Sequence, residues 1–275
     1  MQDTLHKTLL IRFSSVGDIV LASPLVRVLR RRFPGIRIDF AVKSEYADLV
    51  RFDPGIAKVL KESVRHPRVR IAVISGRSVR DLKRKIPLPG LYLAGGHGLE
   101  IQGRGLRFLH PVARLRGREV KTLARALRRA LAGFAGALVE EKELSVAAHY
   151  RMVPRSMVPD VRKAIRRTLA AQAGDWKVIT GKQVIEALPR TGWTKGSCVR
   201  LLWAHYCAEL PSKASTLAFY IGDDQTDQDG FEAVKGIGVS LAVGEKPRLR
   251  ADYHLKNVDE VSFFLKKVEK ALVKK

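Results

Sequence analysis

The sequence predicts an α/β protein in which a mainly parallel sheet lies between helices and carries a small inserted α/β unit. Three observations lead there. Apolar runs of strand length stop at polar turns, as in Val69-Arg-Ile-Ala-Val-Ile74 before Ser75-Gly76 and Leu217-Ala-Phe-Tyr-Ile221 before Gly222-Asp223-Asp224. That is the pattern of buried strands that present ligands at their carboxyl ends. Amphipathic helices alternate with these runs, the last of them from Val258 to Val273. Between them, residues 111–180 change character, with polar side chains crowding alternating segments such as Ala137 to Arg151, as an insert outside the main sheet would show.

Composition bounds the rest. A chain of 275 residues with 46% hydrophobic content can build a packed core. The formal charge of +24 invites a nucleic-acid reading. Yet Lys and Arg are spread over almost every segment, with no zinc-finger spacing, stacking-aromatic pattern or helix-turn-helix, so no nucleic-acid partner is expected. No apolar run is long enough to span a bilayer, and the start, Met1-Gln-Asp-Thr-Leu-His-Lys7, lacks the plan of a signal peptide. Cys198 and Cys207 have no metal-site spacing beside them. A cytoplasmic location is the expectation.

Taken in order, Thr8 to Phe13 reads as a strand, Ser14 to Asp18 as a turn, and Ile19 to Phe33 as a helix stopped by Pro34-Gly35, before a second strand at Ile36 to Val42. This opening, "LLIRFSSVGDIVLASPLVRVLRRRFPGIRIDFAVKSEYADLVRFDPGI", resembles the amino-terminal end of lipopolysaccharide heptosyltransferases. The resemblance implies a general-base role for Asp18. It sets residues 1–62 apart as a βαβ fragment.

From about Ser63 a different organisation begins. The strand ending at Ser75-Gly76-Arg77-Ser78 offers a hydroxyl and backbone N–H groups to an anion, and the helix from Val79 to about Lys85 adds its dipole. Leu91 to Ala94 leads into Gly95-Gly96-His97-Gly98-Leu99-Glu100. A basic helix spans Lys121 to Leu131, and another runs from about Pro159 to Gln172. Lys195 opens an apolar helix through Leu202, where a cation opposes the helix dipole unless an anion pairs with it. Four aspartates between Asp223 and Asp229 repel one another unless a cation neutralises them, and an oxygen-only donor set suits Mg²⁺. A short strand follows at Val239 to Val243. Together, Ser75 would bind a phosphoryl oxygen, Lys195 would neutralise developing charge, and Asp223 with Asp224 would hold the metal.

The order and spacing of these parts resemble haloacid-dehalogenase-type phosphatases, and more closely the trehalose-6-phosphate phosphatases over about residues 63–265. The blocks that carry the likeness are "HPRVRIAVISGRS", "AGGHGLEI", "VEEKELSVAAHYR", "GKQVIEALP" with "KGSCVRLL", and "YIGDDQTDQDGF". The resemblance implies a Rossmann-like three-layer core at 63–110 and 181–275, and a cap at 111–180 acting as substrate lid. It implies Mg²⁺ as cofactor and hydrolysis of trehalose 6-phosphate to trehalose and phosphate. Substrate contacts are implied for Gly76, Arg77, His97, Glu140, Lys142, His149, Arg151 and Glu186, with Ser75, Lys195 and Asp223 in the chemistry.

One part of that pattern is absent. The family's first motif, a strand ending Asp-x-Asp-Gly, should precede Ser75 and supply the nucleophile. Before Ser75 the aspartates are Asp3, Asp18, Asp39, Asp48 and Asp53, and no two are separated by one residue. Impaired turnover is therefore expected, and Leu9 to Phe13 is the strand expected to fill the vacated central place in the sheet. A glycosyltransferase fragment, a non-catalytic sugar-phosphate binder and a join of two coding segments near 58–65 are the alternatives.

Overall fold

The computed structural model describes residues 38–41, 54–67, 69–172, 174–181, 183–209, 216–244 and 249–273. The chain divides into two units, Met1–Phe108 with Trp193–Lys275, and Leu109–Gly192.

The larger unit is built on β1 (Ile38–Ala41), α1 (Pro54–Arg65), β2 (Ile71–Ile74), α2 (Val79–Lys85), β3 (Tyr92–Gly95), β4 (Glu100–Gly103) and β5 (Leu106–Leu109). After the smaller unit it resumes with α6 (Lys195–Ala208), β10 (Leu217–Gly222), α7 (Gln228–Val234), β11 (Gly238–Val243), β12 (Tyr253–Leu255) and α8 (Val258–Val273). The strands form one sheet in the order β12-β11-β10-β1-β2-β3-β4-β5. Pairing is parallel from β12 to β3 and turns antiparallel at β3–β4.

Alternate residues of the central strands feed two cores, as period-two side chains must. Ile71, Val73, Phe219, Ile221, Leu241 and Val243 pack with Leu60 and Val64 of α1, Val79 and Leu82 of α2, and Phe264 and Leu265 of α8. On the opposite face Ala72, Ile74, Ala218, Tyr220 and Ala242 meet Cys198, Val199 and Leu202 of α6 and Phe231 and Val234 of α7. Both faces are covered, which is why these strands read as nearly unbroken apolar runs.

The central place is not filled by the expected strand. β1 lies between β10 and β2, with Ile38 opposite Leu217 and Asp39 opposite Ala218 on one side, and Phe40 opposite Ile71 and Ala41 opposite Ala72 on the other. Residues 38–41 belong to the second strand of the opening, not the first. The physical reason is local: among the described elements β1, α1 and β2 follow one another, and the two strands make a parallel pair with a helix in the crossover. Leu9 to Phe13 and Asp18 lie outside the described residues.

The smaller unit contains α3 (Pro111–Leu115), α4 (Gly117–Leu131), β6 (Leu138–Glu141), β7 (Val146–His149), α5 (Val158–Ala171), β8 (Trp176–Gly181) and β9 (Val184–Pro189). Its antiparallel sheet runs β6-β7-β9-β8. Val120, Leu123 and Leu127 of α4 and Val161 and Ile165 of α5 pack on Val146, Ala148, Ile185 and Ala187. The boundary differs from the expected 111–180, because β9 belongs here and not to the larger sheet. Its run Val-Ile-Glu-Ala-Leu-Pro is almost wholly apolar because β9 is an inner strand with buried residues along its length, so periodicity alone could not tell it from a strand of the main core.

Candidate active site

The site begins at the carboxyl end of β10. Asp227 is completely buried, and each of its oxygens is held by two donors. Oδ1 accepts from the Tyr220 hydroxyl at 2.9 Å and Lys195 Nζ at 3.1 Å, while Oδ2 accepts from the backbone N–H groups of Asp223 and Asp224 at 3.1 and 3.0 Å. A buried carboxylate is tolerable only when so satisfied. The ring of Tyr220 needs the space above it, since a methyl group at Gly230 would stand 2.2 Å from its Cζ.

Lys195 is only 2% exposed although it opens α6. Thr194 and Ser197 cap that helix reciprocally at 3.3 Å. Nζ reaches Asp224 at 3.3 and 3.4 Å as well as Asp227, and these carboxylates offset the unfavourable dipole. Asp224 in turn caps the turn at 225–227, accepting from the Thr226 backbone at 2.7 Å and from its hydroxyl.

Carboxylate oxygens of Asp223, Asp224 and Asp227 lie within 4.8 Å of one another. Asp227 turns its oxygens to fixed donors beneath the loop, whereas Asp223 and Asp224 are half-buried at its surface. The donor set that fits a hard divalent cation is therefore the Asp223–Asp224 pair, with Asp227 holding the backbone that presents it.

Ser75 follows β2, and β2 and β10 flank β1, so Ser75 and Asp223 leave the same carboxyl edge two strands apart, roughly 10 Å. Ser75 is 1% exposed, and its Oγ accepts from the Arg77 N–H at 3.1 Å. Its backbone donates to Ala94 at 2.8 Å and accepts from His97 at 2.7 Å, while Gly96 N–H donates to the Arg77 carbonyl at 2.8 Å. His97 sits at φ 58° and lays its ring over Gly76, where a methyl group would stand 2.7 Å from Nε2. Gly76 thus serves the ring as well as the turn.

Arg77 is steadied by Asp81, which it meets at 3.0 Å, with Arg84 at 2.7 Å on the other oxygen. Burial pushes the Asp81 carboxyl up, but its bonds to Arg77 and Arg84 and the charges of Arg77 and Lys85 outweigh this and hold it below the ordinary 3.8. A depressed folded value stabilises the protein above the unfolded value, and that contribution is lost as pH falls through the folded one. Asp81→Asn will therefore cost about 0.5–1 kcal/mol at neutral pH, the range for a pair open to water. Thermal melts of wild type and variant will begin to approach each other near pH 3.8 and converge only as the pH falls through the lower folded value.

In the smaller unit, Glu140 and Glu186 stand opposite Ala147 from its two sides and share one face of the sheet. The hydrophobic residues packed on α4 and α5 point the other way. His149 Nε2 and Glu140 Oε2 are 2.9 Å apart, and Glu186 Oε1 accepts from Lys142 at 2.8 Å and Ser145 at 2.6 Å. Arg151 is exposed just beyond β7. Sequence reasoning missed Tyr220 and Asp81 and left Asp227 as one acidic residue among four. Tyr220 carried no signal beyond a polar tip in an apolar strand.

Comparisons with known proteins identify the family and the fold. A family model described as trehalose-phosphatase matches residues 43–257. A trehalose-phosphate phosphatase of Mycobacterium bovis (strain BCG / Pasteur 1173P2) is 34% identical over 237 residues, covering 84% of this chain and 59% of that protein. The chain thus spans 59% of the length of that curated relative. Among solved structures, the C-terminal domain of C. albicans trehalose-6-phosphate phosphatase superposes with a TM-score of 0.71 at 19% identity, over 94% of this chain and 99% of that one. A trehalose-6-phosphate phosphatase related protein gives 0.70 at 19% identity, over 96% and 97%. These likenesses show a shared fold. The family match begins inside the stretch read as heptosyltransferase-like, so that reading is not borne out; the base role suggested for Asp18 concerns a residue outside the described ones.

Proposed function

We propose, given that the chain belongs to the trehalose-phosphatase family, that its site binds the phosphate monoester trehalose 6-phosphate and supports only slow hydrolysis. The observation that carries this is Lys195, buried against Asp224 and Asp227 and set at the same sheet edge as Ser75. The Ser75 hydroxyl and the N–H groups of the following turn take phosphoryl oxygens, Arg77 adds a positive charge, and Lys195 neutralises charge as the bond to phosphorus breaks. Mg²⁺ held by Asp223 and Asp224 would supply further charge neutralisation at the phosphate.

Glu140, Lys142, His149, Arg151 and Glu186 offer donors and acceptors on one side of the smaller unit, chemistry suited to sugar hydroxyls. Residues 109–192 then serve as the cap, and the two-part larger unit as the core. No Asp-x-Asp-Gly precedes Ser75, which favours binding over turnover. Cys198 and Cys207 are unbridged, in keeping with a cytoplasmic setting, and no helix among the described residues is long and apolar enough to cross a membrane.

Calorimetric titration tests the reading. With Mg²⁺ present, trehalose 6-phosphate will bind at least about ten-fold more tightly than glucose 6-phosphate, a gain of roughly 1.4 kcal/mol from the second sugar. Asp223→Asn will remove the Mg²⁺-dependent part. Equal affinity for the two sugar phosphates would sink the disaccharide assignment.

A further inference from the structure

We infer that Trp193 is a positioning residue for the proposed phosphate site, acting through the left-handed turn that carries His97. The inference rests on the reading above, and three independent contacts support it.

The turn is conformationally expensive. Gly96, His97 and Gly98 have φ of 55°, 58° and 93° in succession; the glycines adopt this freely, but at His97 a side chain enters a region that persists only where surroundings enforce it. Its amino-terminal half is held from the Ser75 side, by the bonds from Gly96 N–H to Arg77 O and from His97 N–H to Ser75 O. Its carboxyl-terminal half is held from elsewhere. Trp193 Nε1–H donates to the Gly98 carbonyl at 2.9 Å, and a methyl group at Gly98 would stand 2.5 Å from Cys198 Cβ. With both ends fixed, the His97 ring has its place over Gly76.

Trp193 is itself fixed. Its ring stacks on Phe108, with centroids 4.9 Å apart and planes at 23°. Two residues further on stands Lys195, and Thr194 between them caps α6. The indole therefore ties the Ser75–His97 side of the site to the turn that delivers Lys195. Phe108 and Trp193 are also the residues at which the larger unit ends and resumes. The stack pins these two points of the chain together beside the Gly98 carbonyl.

The geometry makes Trp193→Phe the informative change, since it keeps a ring for Phe108 and removes the single N–H donor. The His97 Cε1–H resonance will shift and broaden in this variant, as the ring leaves one place over Gly76. Orthophosphate, titrated with Mg²⁺ present, will bind about five-fold more weakly, the scale of one net hydrogen bond. Mg²⁺ affinity will not change, because Asp227 and Tyr220 hold that loop separately. Phe108→Leu, which spares the donor, will shift the same resonance less.

An unchanged His97 resonance in Trp193→Phe overturns the inference. If wild type fails to bind orthophosphate while the resonance still moves, the positioning role stands and the phosphate reading falls. A measurement on the unaltered chain guards against a variant that does not fold. The Trp193 indole N–H will be protected from hydrogen exchange in the native protein, and free exchange at that position also overturns the inference.

Discussion

Rewriting residues 42–45, which follow β1, as Asp-x-Asp-Gly will raise phosphate release from trehalose 6-phosphate by about 10⁴- to 10⁶-fold over the native chain. The magnitude is that of removing or restoring the nucleophile of a covalent mechanism. β1 lies between β10, which leads to Asp223 and Asp224, and β2, which leads to Ser75. In the family pattern the nucleophile follows a strand between those two, and β1 is the strand that stands there. The native sequence continues from Ala41 as Val42-Lys43-Ser44-Glu45, which contains no aspartate. A continuous phosphate assay with Mg²⁺, run beside Asp223→Asn in the rewritten background, checks the result. Fast release by the native chain would show that another group attacks phosphorus, and equally slow release by both would show that the remaining site is not a hydrolytic one.

Asp227→Asn will destabilise the protein by about 3–5 kcal/mol, the cost of breaking one partner of a buried ion pair. An amide has the size of the carboxylate but turns an –NH₂ toward either the backbone donors of Asp223 and Asp224 or toward Lys195 and Tyr220. Every choice sets donor against donor. Lys195 keeps its contact with Asp224. At about 2–4 °C per kcal/mol for a domain of this class, melting will fall by about 6–20 °C. Tyr220→Phe removes one of the four donors and will cost less, about 1.5–3 kcal/mol for a hydrogen bond to a charged group. Calorimetric Mg²⁺ titration of both variants separates loss of the loop from loss of the fold: weaker Mg²⁺ binding in folded Tyr220→Phe supports the anchoring role of Asp227, and full affinity would refute it.

How much of this was legible in the sequence depends on what each residue's signal was. The Asp223–Asp224 pair is legible because two adjacent carboxylates directly after a buried strand call for a cation, whereas Ser75, in a common Ser-Gly turn, is a weak signal alone and gains weight only beside Lys195 and the aspartates. Lys195 was readable because a cation at a helix start is in the wrong field unless something pairs with it. Asp227 was not separable from its neighbours, since four aspartates in one turn look alike until the backbone shows which one faces inward. β1 was misassigned because two apolar runs stand in the opening, and only pairing decides which joins β10 and β2. β9 was assigned to the wrong sheet for a related reason: burial on both faces erases the alternation that would mark a half-exposed strand. Tyr220 and Trp193 owe their roles to tertiary contacts, to Asp227 and to Gly98, that no local pattern encodes.

β1 has a further consequence, for the order of events during synthesis. It bridges β10 and β2, yet Ile38 and its partner Leu217 lie roughly 180 residues apart in the chain. The sheet of the larger unit cannot close until β10 has left the ribosome. The smaller unit is one uninterrupted segment with its own core, and its strands need nothing that follows Gly192. It is therefore complete while the larger unit still waits for its other half. During that interval β1, paired with β2 on one side, carries an open edge where β10 will sit, and the surface so exposed is the one that later becomes the middle of the sheet.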